Sequence, residues 1–389
     1  MNAPVRVLHC SSGNLYGGVE TLLATLARQA TPGACPEYAL CFEGRSSAEL
    51  REVGANVHQL APVRLRRPWT IWQARRNLSQ LLAKRPFDVV VCHGGWPHWI
   101  CGPVVRRRGT PLVFWLHDLA GGTHWVERLA AATPPDLALA GSRCAAETIK
   151  HIFPGVPREV IYPPVALPAV DRVKARESIR AELATSREAV VIVLASRFDP
   201  LKGHRTLIEA LGRLQERPGW EAWIAGGAQQ AHEHHYLDEL QKQAQAAGIA
   251  ERVRFLGHRS DVPTLLAAAD IFCQPNLRPE SFGLAFVEAM DAALPVVSTK
   301  IGAAEEIVDA SCGILVPPND SATLTASLTT LIEEPETRRR LGSAGPARAR
   351  DLCDPGAALA RLETLLRDVS RDKEARPFVR SIPAEAVPR

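Results

Sequence analysis

Short apolar runs alternate with longer helical patterns along this chain, and that alternation constrains the fold more than any other feature. Runs such as AVVIVLAS at 189–196 and FDVVVCHG at 87–94 carry apolar side chains on both faces of the extended strand. A strand is apolar on both faces where helices cover both sides of a parallel sheet. Repeated strand–helix alternation therefore predicts an α/β fold with doubly wound sheets.

The number of runs predicts two domains, because thirteen strands are too many for one Rossmann-type sheet. The predicted strands are 5–9, 38–42, 57–60, 88–92, 112–116, 137–140 and 159–162, then 190–196, 222–225, 253–256, 271–274, 295–298 and 314–316. A proline-rich stretch at 154–168 separates the two sets and is the predicted linker. We expect two Rossmann-like domains, 1–165 and 166–350, which face each other across a central cleft. A C-terminal helix at 351–376 should pack back toward the first domain, and 377–389 should be a flexible tail.

Charge is divided unevenly between these two halves, although the whole chain carries a formal charge of only +4. Residues 1–165 hold 18 Lys and Arg against 11 Asp and Glu, whereas the remaining 224 residues hold 28 against 31. Six of the eight tryptophans also precede residue 126. The basic, Trp-rich first half is therefore the side on which we expect an anionic partner.

The cysteines and the N-terminus indicate a cytoplasmic protein. Nine cysteines, with no C-x-x-C and mostly in apolar segments, are typical of reduced buried thiols. The N-terminus lacks the charge layout of a signal peptide, and no window approaches 18 uninterrupted apolar residues. We expect any membrane contact to be peripheral, on the inner face.

Open α/β sheets bind ligands at the carboxyl ends of their strands, so the chemistry should follow the strands. After the first strand, Gly17 and Gly18 precede a helix whose N-terminus favours an anion, although an ordinary β–α turn is an equal reading. His117 directly follows the strand at 112–116, where it can donate or accept near neutral pH. Arg197 and Lys202 straddle the turn after the strand at 190–196 and suit a diphosphate, unless they are solvated surface charges.

The segment 275–290 carries the strongest pattern. Glu280 lies just before a predicted helix start, and Glu288 lies about a turn and a half inside that helix. Carboxylates accept two hydrogen bonds from vicinal hydroxyls, so one acid suits a sugar and the other a ribose. An N-capping acid with an exposed helix glutamate is the plainer alternative, but it does not explain the apolar neighbours of Glu288.

A basic segment rich in tryptophan is a candidate surface for an anionic ligand or an anionic membrane. Its members are Arg64, Arg66, Arg67, Trp69, Trp72, Arg75 and Arg76. A solvated helix with its tryptophans packed inward is an equally good reading. No recognised nucleic-acid module occurs, so nucleic acid is not an expected partner. The His-rich stretch 232–235 lacks metalloprotease spacing, since Tyr236 stands where the second histidine would be, and is predicted to be a polar loop without metal.

Seven motifs in order give the chain a resemblance to the retaining nucleotide-sugar glycosyltransferases of family 4, which have the GT-B fold. They are GGVET, HD, SRFDPLKG, AGG, ESFGLAFVEAM, LPVVST and GILVPPND, and they extend from Gly17 to about Asp320. The resemblance implies a hexosyltransferase that needs no metal and no cofactor beyond its nucleotide-sugar donor. It also implies a glycan or lipid-linked acceptor bound by the first domain, in cell-surface polysaccharide or glycolipid biosynthesis. No Asp-x-Asp occurs in the chain, which agrees with metal independence.

The resemblance also assigns roles to individual residues. The implied catalytic residues are His117, Arg197, Lys202 and Glu280. The implied donor-binding residues are Gly17, Gly18, Gly226, Phe282, Gly283, Leu284 and Glu288. In this interpretation the two cations stabilise the departing diphosphate, Glu280 holds sugar hydroxyls without acting as a nucleophile, and Glu288 binds the ribose.

Two departures from the family pattern keep other functions open. Ala293 and Ala303 stand where the family usually has glycine, and alanine disfavours positive φ. A non-catalytic nucleotide-sugar binding protein is therefore one alternative. A nucleotide-sugar epimerase of the same fold is another, although it would be expected to lack the combination of Arg197, Lys202, Glu280 and Glu288.

Overall fold

The computed structural model describes residues 3–14, 17–31, 33–165, 168–228 and 231–372. The predicted tail at 377–389 lies outside the described residues. Two compact units divide the chain, and each is built on one fully parallel sheet. This confirms the predicted α/β fold class with two Rossmann-like sheets.

The first unit comprises Met1–Ala140, Ala146–Ile161 and Gly356–Arg389. Its seven strands lie in the order β3-β2-β1-β4-β5-β6-β7. They are β1 (Val5–Ser11), β2 (Ala34–Leu40), β3 (Asn56–Gln59), β4 (Val89–His93), β5 (Leu112–Leu116), β6 (Leu137–Ala140) and β7 (Arg158–Val160). The helices that follow these strands are α1 (Gly18–Arg28), α2 (Arg45–Glu52), α3 (Trp69–Lys84), α4 (Gly95–Arg107), α5 (Trp125–Ala131) and α6 (Arg143–Thr148).

The alternating strand faces explain why this sheet is buried on both sides. Val89 and Val91 of β4 pack into one hydrophobic cluster, whereas Val90 and Cys92 pack into another on the opposite face. All five residues of β4 are buried. This two-sided burial is what the uninterrupted apolar run predicted.

The second unit comprises Gly141–Ala145 and Tyr162–Pro355. Its six strands lie in the order β10-β9-β8-β11-β12-β13. They are β8 (Val190–Ala195), β9 (Trp220–Ala225), β10 (Val253–Gly257), β11 (Ile271–Gln274), β12 (Val296–Thr299) and β13 (Gly313–Val316). Its helices are α7 (Arg172–Glu182), α8 (His204–Gly212), α9 (Ala231–Ala246), α10 (Val262–Ala268), α11 (Leu284–Asp291), α12 (Ala304–Ile307), α13 (Ser321–Glu333) and α14 (Pro335–Cys353).

The segment 141–145 belongs to the second unit although it directly follows β6. Ser142 Oγ donates to the Ser281 carbonyl at 2.5 Å, and the Arg143 and Cys144 amides donate to the Glu306 carboxylate at 2.9 and 2.6 Å. The unit boundaries therefore differ from the predicted ones at 165/166 and 350/351. Side-chain contacts of this kind, between residues far apart in the chain, cannot be read from a linker's composition.

The last helix, α15 (Pro355–Asp372), covers one face of the first sheet. Leu359, Leu362 and Leu366 are buried in the same cluster as Val5 and Leu22. The helix begins four residues later than the predicted 351, because α14 continues to Cys353.

Two local expectations are informative. The segment 232–235, predicted as a polar loop, is instead the first turn of α9, whose buried positions Glu233, Tyr236, Leu240 and Ala244 recur at helical spacing. All nine cysteines are free; seven are buried, Cys35 is exposed and Cys144 is partly buried.

No helix in the described part of the chain is long and apolar enough to cross a bilayer.

Candidate functional site

The order of strands in the second unit reverses between β8 and β11, which is where doubly wound sheets bind ligands. Arg197 follows β8, Gly226 follows β9, and Gln274 is the last residue of β11. The predicted donor residues therefore emerge from neighbouring strand ends on one edge of this sheet.

Lys202 and Glu280 form an ion pair between Nζ and Oε1 at this edge, although 78 positions separate them in the chain. Gln274 donates from Nε2 to the same Glu280 oxygen at 2.9 Å and to Asn276 Oδ1 at 3.0 Å. Gln274 and Asn276 are 1% and 2% exposed, so the carboxylate is anchored from the sheet interior. A buried amide of this kind fixes the position of the carboxylate and its lysine partner.

A short 3₁₀ turn, Pro200–Lys202, sets the direction of the lysine. Asp199 caps the turn by accepting from the Leu201 amide at 2.9 Å. Gly203 ends it with φ +79°, and a Cβ there would collide with the Pro275 carbonyl. Only glycine combines this left-handed backbone with such a close approach to the β11 loop.

The first turn of α11 presents backbone amides beside Glu280. Gly283 precedes the helix with φ +92°, and a Cβ at this position would meet the Phe286 ring at 2.6 Å and Glu280 Oε2 at 3.4 Å. Phe282 is buried, and Leu284 begins the helix. The first amides of an α-helix have no intrahelical acceptor, so this helix start is suited to hydroxyl or phosphate oxygens.

A cavity of about 220 Å³ connects three of the predicted donor residues. Arg197, Gly226 and Glu288 all line it, together with His258 and Arg259. Lys202 and Glu280 are not among its described lining residues. The cavity contains guanidinium groups and a half-buried carboxyl group, which suits a ligand with phosphate and hydroxyl groups.

Burial raises the pKa of Glu288 to about 7 from its ordinary value of 4.5. The cause is desolvation of a side chain that lines the cavity together with Ala195 and Val262. Perturbed carboxyl groups in a cavity are typical of functional sites. The reading of Glu288 as an exposed helix glutamate is therefore wrong.

Ala303 and Ala293, which stand where the family usually has glycine, differ in their backbone conformation. Ala303 has φ −67° and is fully buried, so it does not need the freedom of glycine; the positive φ of +62° belongs to Gly302. Its amide donates to the Glu280 carbonyl at 3.2 Å and supports that loop. Ala293 does adopt a positive φ of +51°, at the turn that follows α11.

In the first unit, Gly17 and Gly18 stand at the start of α1. Gly17 has an extended backbone with φ −172°, and its amide donates to Glu20 Oε2 at 3.0 Å. Glu20 thereby caps the helix, and desolvation raises the pKa of its carboxyl. The extended φ of Gly17 is open to any residue, so conformation alone does not require glycine there.

His117 is the outer member of a chain of three histidines from adjacent strands. Its Nε2 lies 2.9 Å from His93 Nδ1, and His93 Nε2 lies 2.9 Å from His9 Nδ1. Trp115 stacks against both His93 and His117, at ring-centroid distances of 5.4 and 5.6 Å. Burial lowers the pKa of His9 and of His117 to about 3 each and that of His93 well below its ordinary value.

All three rings are therefore neutral near pH 7, and each has one donor and one acceptor nitrogen. Two hydrogen bonds in series then fix the three tautomers together, because reversing one bond requires reversing the other. His9 and His93 were not predicted as site residues. Their signal was present, since each lies near the carboxyl end of its strand, but it emerges only when β1, β4 and β5 are known to be neighbours.

The basic segment forms a turn followed by α3. Thr70 Oγ1 donates to the Arg67 carbonyl at 2.7 Å and accepts from the Arg64 amide at 2.9 Å. Trp69 and Trp72 are 61% and 62% exposed, so the reading in which they pack inward is wrong. Arg64, Arg66, Arg67 and Arg76 are also exposed.

Arg75 does not belong to this exposed set. It is partly buried and donates to the Trp99 and Ile100 carbonyls at 3.0 and 3.2 Å, which ties α3 to α4. Desolvation lowers its pKa, and Arg107 adds to that shift. Within the described ranges, no group of three His, Cys, Asp or Glu side chains could hold a metal ion.

Two family models together match most of the chain. Residues 16–167 match the model described as Glycosyltransferase Family 4, and residues 175–348 match Glycosyl transferases group 1. The phosphatidyl-myo-inositol mannosyltransferase of Mycobacterium leprae is 36% identical over 159 residues, which cover 40% of each chain. The lipopolysaccharide core biosynthesis mannosyltransferase LpsB of Rhizobium meliloti is 26% identical over 284 residues, 72% of each chain.

Among solved structures, Anabaena HepE in complex with UDP and glucose is similar over 94% of this chain and all of its own. The TM-score is 0.81 and the identity 25%. The match to the phosphatidyl-myo-inositol mannosyltransferases is more limited, since the aligned part of this chain spans only about 40% of the length of these relatives.

Proposed function

The chain belongs to the family 4 group of GT-B glycosyltransferases, and from that membership we propose that it transfers a hexose from a nucleotide diphosphate donor to an acceptor with retention of anomeric configuration. The observation that carries the proposal is the pairing of Lys202 with Glu280 at the β8–β11 strand ends, anchored by Gln274. The ion pair holds a cation for the diphosphate next to a carboxylate for the sugar hydroxyls.

The proposed chemistry is front-face substitution, in which the departing phosphate accepts the proton of the acceptor hydroxyl. The protein then has to stabilise the negative charge that develops on the leaving group. Lys202 and Arg197 would supply that stabilisation, since fixed cations at a developing anion lower a barrier strongly. His117 would contact the donor sugar, and no metal would be required.

A nucleoside diphosphate hexose is the proposed donor class. Arg197 and Glu288 line one cavity, where the guanidinium suits phosphate oxygens and the carboxylate suits ribose hydroxyls. HepE was solved with UDP and glucose, and several relatives are named mannosyltransferases. UDP-glucose and GDP-mannose are therefore the first donors to test.

The acceptor is proposed to be a glycan or lipid-linked glycan of a cell-surface polysaccharide or glycolipid. Support comes from the relatives named for phosphatidyl-myo-inositol and lipopolysaccharide core. It also comes from the exposed Trp69 and Trp72 beside Arg66, Arg67 and Arg76, because aromatic and basic side chains together suit an anionic lipid surface. We propose peripheral docking of this surface on the cytoplasmic face of a membrane.

Transfer is tested by screening UDP, GDP, ADP and their sugars for thermal stabilisation, then following transfer and the anomer of the product by NMR. Lys202→Ala and Glu280→Ala should each slow transfer by roughly 10²-fold or more. Lys242→Ala, an exposed lysine on α9, is the matched control and should not change it. Retained transfer in both site variants, or tight donor binding without turnover across a broad acceptor panel, would contradict the proposal. The same assay with a chelator tests metal independence.

Membrane docking is tested by sedimentation with anionic and neutral vesicles. Replacing Trp69 and Trp72 by serine should reduce binding to anionic vesicles and leave nucleotide binding unchanged. Trp125→Ser removes another exposed tryptophan, on α5, and serves as the control. Equal vesicle binding by all three proteins would show that the segment is only a solvated face.

A further inference from the structure

A second cavity of the same unit lies at the opposite end of its sheet and has no part in the proposed transfer. It has a volume of about 730 Å³, within the range typical of small-molecule sites. Arg172, Arg176 and Arg180 of α7 line it, together with Arg187 just before β8. Glu177 is the one carboxylate among its described lining residues.

One acid, Asp270, serves the inner arginines and accepts from three donors. Asp270 accepts from Arg176 at 2.9 Å through Oδ1, and from Arg180 at 2.6 Å and the Val191 amide at 2.8 Å through Oδ2. Asp270 and Val191 lie near the amino ends of β11 and β8, which places the cavity at the edge away from Arg197 and Gln274. Arg180 is fully committed, since it also donates to the Ser186, Ala189 and Ala268 carbonyls.

The outer arginines, Arg172 and Arg187, have no such direct partner within the described residues. In the parts of the chain that the structure describes, neither Arg172 nor Arg187 forms an ion pair or a side-chain hydrogen bond. Desolvation, and then the charge of Arg176, lower the pKa of Arg172, and the carboxylate of Asp270 offsets part of that shift. Arg172 also sits at the first position of α7, directly after Asp171, whose carboxylate caps the helix by accepting from the Val173 and Lys174 amides at 3.1 and 3.2 Å. A cation there opposes the positive end of the helix dipole, and like charges four residues apart repel.

Apart from Glu177 and Thr185, the remaining wall is apolar. Val173, which is 69% exposed, lines the cavity with Ala181, Ala184 and Ala267. The site thus offers guanidinium forks for oxyanions at one side and small apolar side chains at the other. Guanidinium groups bind phosphate oxygens in a bidentate manner more readily than lysine does.

We infer that this cavity is a second ligand site, which binds a phosphate-bearing small molecule with an apolar part through Arg172, Arg176 and Arg187. The inference does not depend on the proposed transfer reaction. A bound phosphate would place negative charge beside Arg172 and Arg187, which form no ion pair within the described residues.

The test uses the full chain with Arg197→Ala and Lys202→Ala, so that the donor site does not bind the probe. Pyrophosphate and octyl phosphate are titrated by calorimetry, with sodium chloride at matched ionic strength as the reference. Saturable binding is expected, and Arg172→Gln with Arg187→Gln should weaken it at least about tenfold. These two side chains form no described ion pair, so their loss should leave the fold intact.

Lys174→Gln is the matched control, because Lys174 is an exposed cation on the same helix turn and is not among the described residues of the cavity wall. It should change the affinity by less than about twofold. Vesicles that contain phosphatidic acid distinguish a lipid headgroup from a free phosphate compound. Absence of saturable binding, or equal weakening by Lys174→Gln and the double variant, would overturn the inference.

Discussion

Nucleotide-sugar binding is expected to release a proton from Glu288. The carboxyl has a pKa of about 7 because it is buried, so it is half protonated at pH 7. Ribose hydroxyls donate to a carboxylate and favour its ionised form. If binding returns the pKa to its ordinary value, about half a proton is released at pH 7 and nearly a whole proton near pH 6.

The same shift predicts how affinity depends on pH. Between pH 8.5 and pH 5, affinity should fall on the order of 10²-fold, which corresponds to about 2.5 kcal/mol. Calorimetry in buffers of different ionisation enthalpy measures the released protons directly. A nucleotide sugar is the appropriate ligand, since its diphosphate does not titrate in this range.

Two variants separate Glu288 from the other titratable groups. Glu288→Gln should abolish the proton release, whereas Asp291→Asn, which removes another partly buried acid of α11, should preserve it. Proton release of the same size in Glu288→Gln, or none in the wild type at pH 7, would refute the reasoning.

The pH dependence of stability provides an independent check. A raised carboxyl pKa favours the folded state below pH 4.5, and that contribution is lost as pH rises through 7, so Glu288→Gln should raise the relative thermal midpoint only at high pH.

Three further predictions concern single side chains. Lys202→Ala should lower kcat by roughly 10²–10³-fold with a smaller effect on KM, because the lysine acts on the developing charge of the leaving group. Steady-state transfer kinetics measure both constants. Equal changes in kcat and KM would argue against this role. His93→Gln should mobilise His117 and lower kcat roughly fivefold, since His117 loses its hydrogen bond to the His93 ring, worth about 1 kcal/mol. Nitrogen NMR of the histidines should then show mixed tautomers. A single unchanged tautomer for His117 would contradict the role of the three histidines. Ala293→Gly should stabilise the protein by up to about 1 kcal/mol, because alanine is strained at φ +51°. Urea unfolding measures the change in the free energy of unfolding. A loss of stability would show that the methyl group of Ala293 packs favourably.

Sequence reasoning found the sheets because their strands are buried on both faces and therefore leave a strong local signal. It found Lys202 and Glu280 as separate motif residues but not Gln274, whose amide bridges Glu280 and Asn276. A buried glutamine at a strand end carries no signal of its own. The ion pair of Glu280 with Lys202, in turn, forms only because β8 and β11 are neighbours in the sheet.

Local composition misled the prediction where a polar surface masks a buried stripe. Residues 232–235 look like a loop because three of the four are histidines, yet α9 buries Tyr236 and Leu240 beneath them. At Ala303, the usual glycine of the family suggested a backbone with positive φ. The neighbouring Gly302 adopts that backbone instead. Arg75 looks like one more surface cation, and only the packing of α3 on α4 shows that it binds carbonyl groups.

The contribution of α15 to the first unit has a consequence for synthesis of the chain. The ribosome has made every strand of the first sheet by Val160, but Leu359, Leu362 and Leu366, which cover one of its faces, emerge some two hundred residues later. The second unit, by contrast, is complete at Pro355. During that interval the face containing Val5 and Leu22 lacks its helix, and exposed apolar surface of this kind promotes aggregation. The domain that begins to be synthesised first is therefore the last to be finished, and its folding yield depends on the far end of the chain.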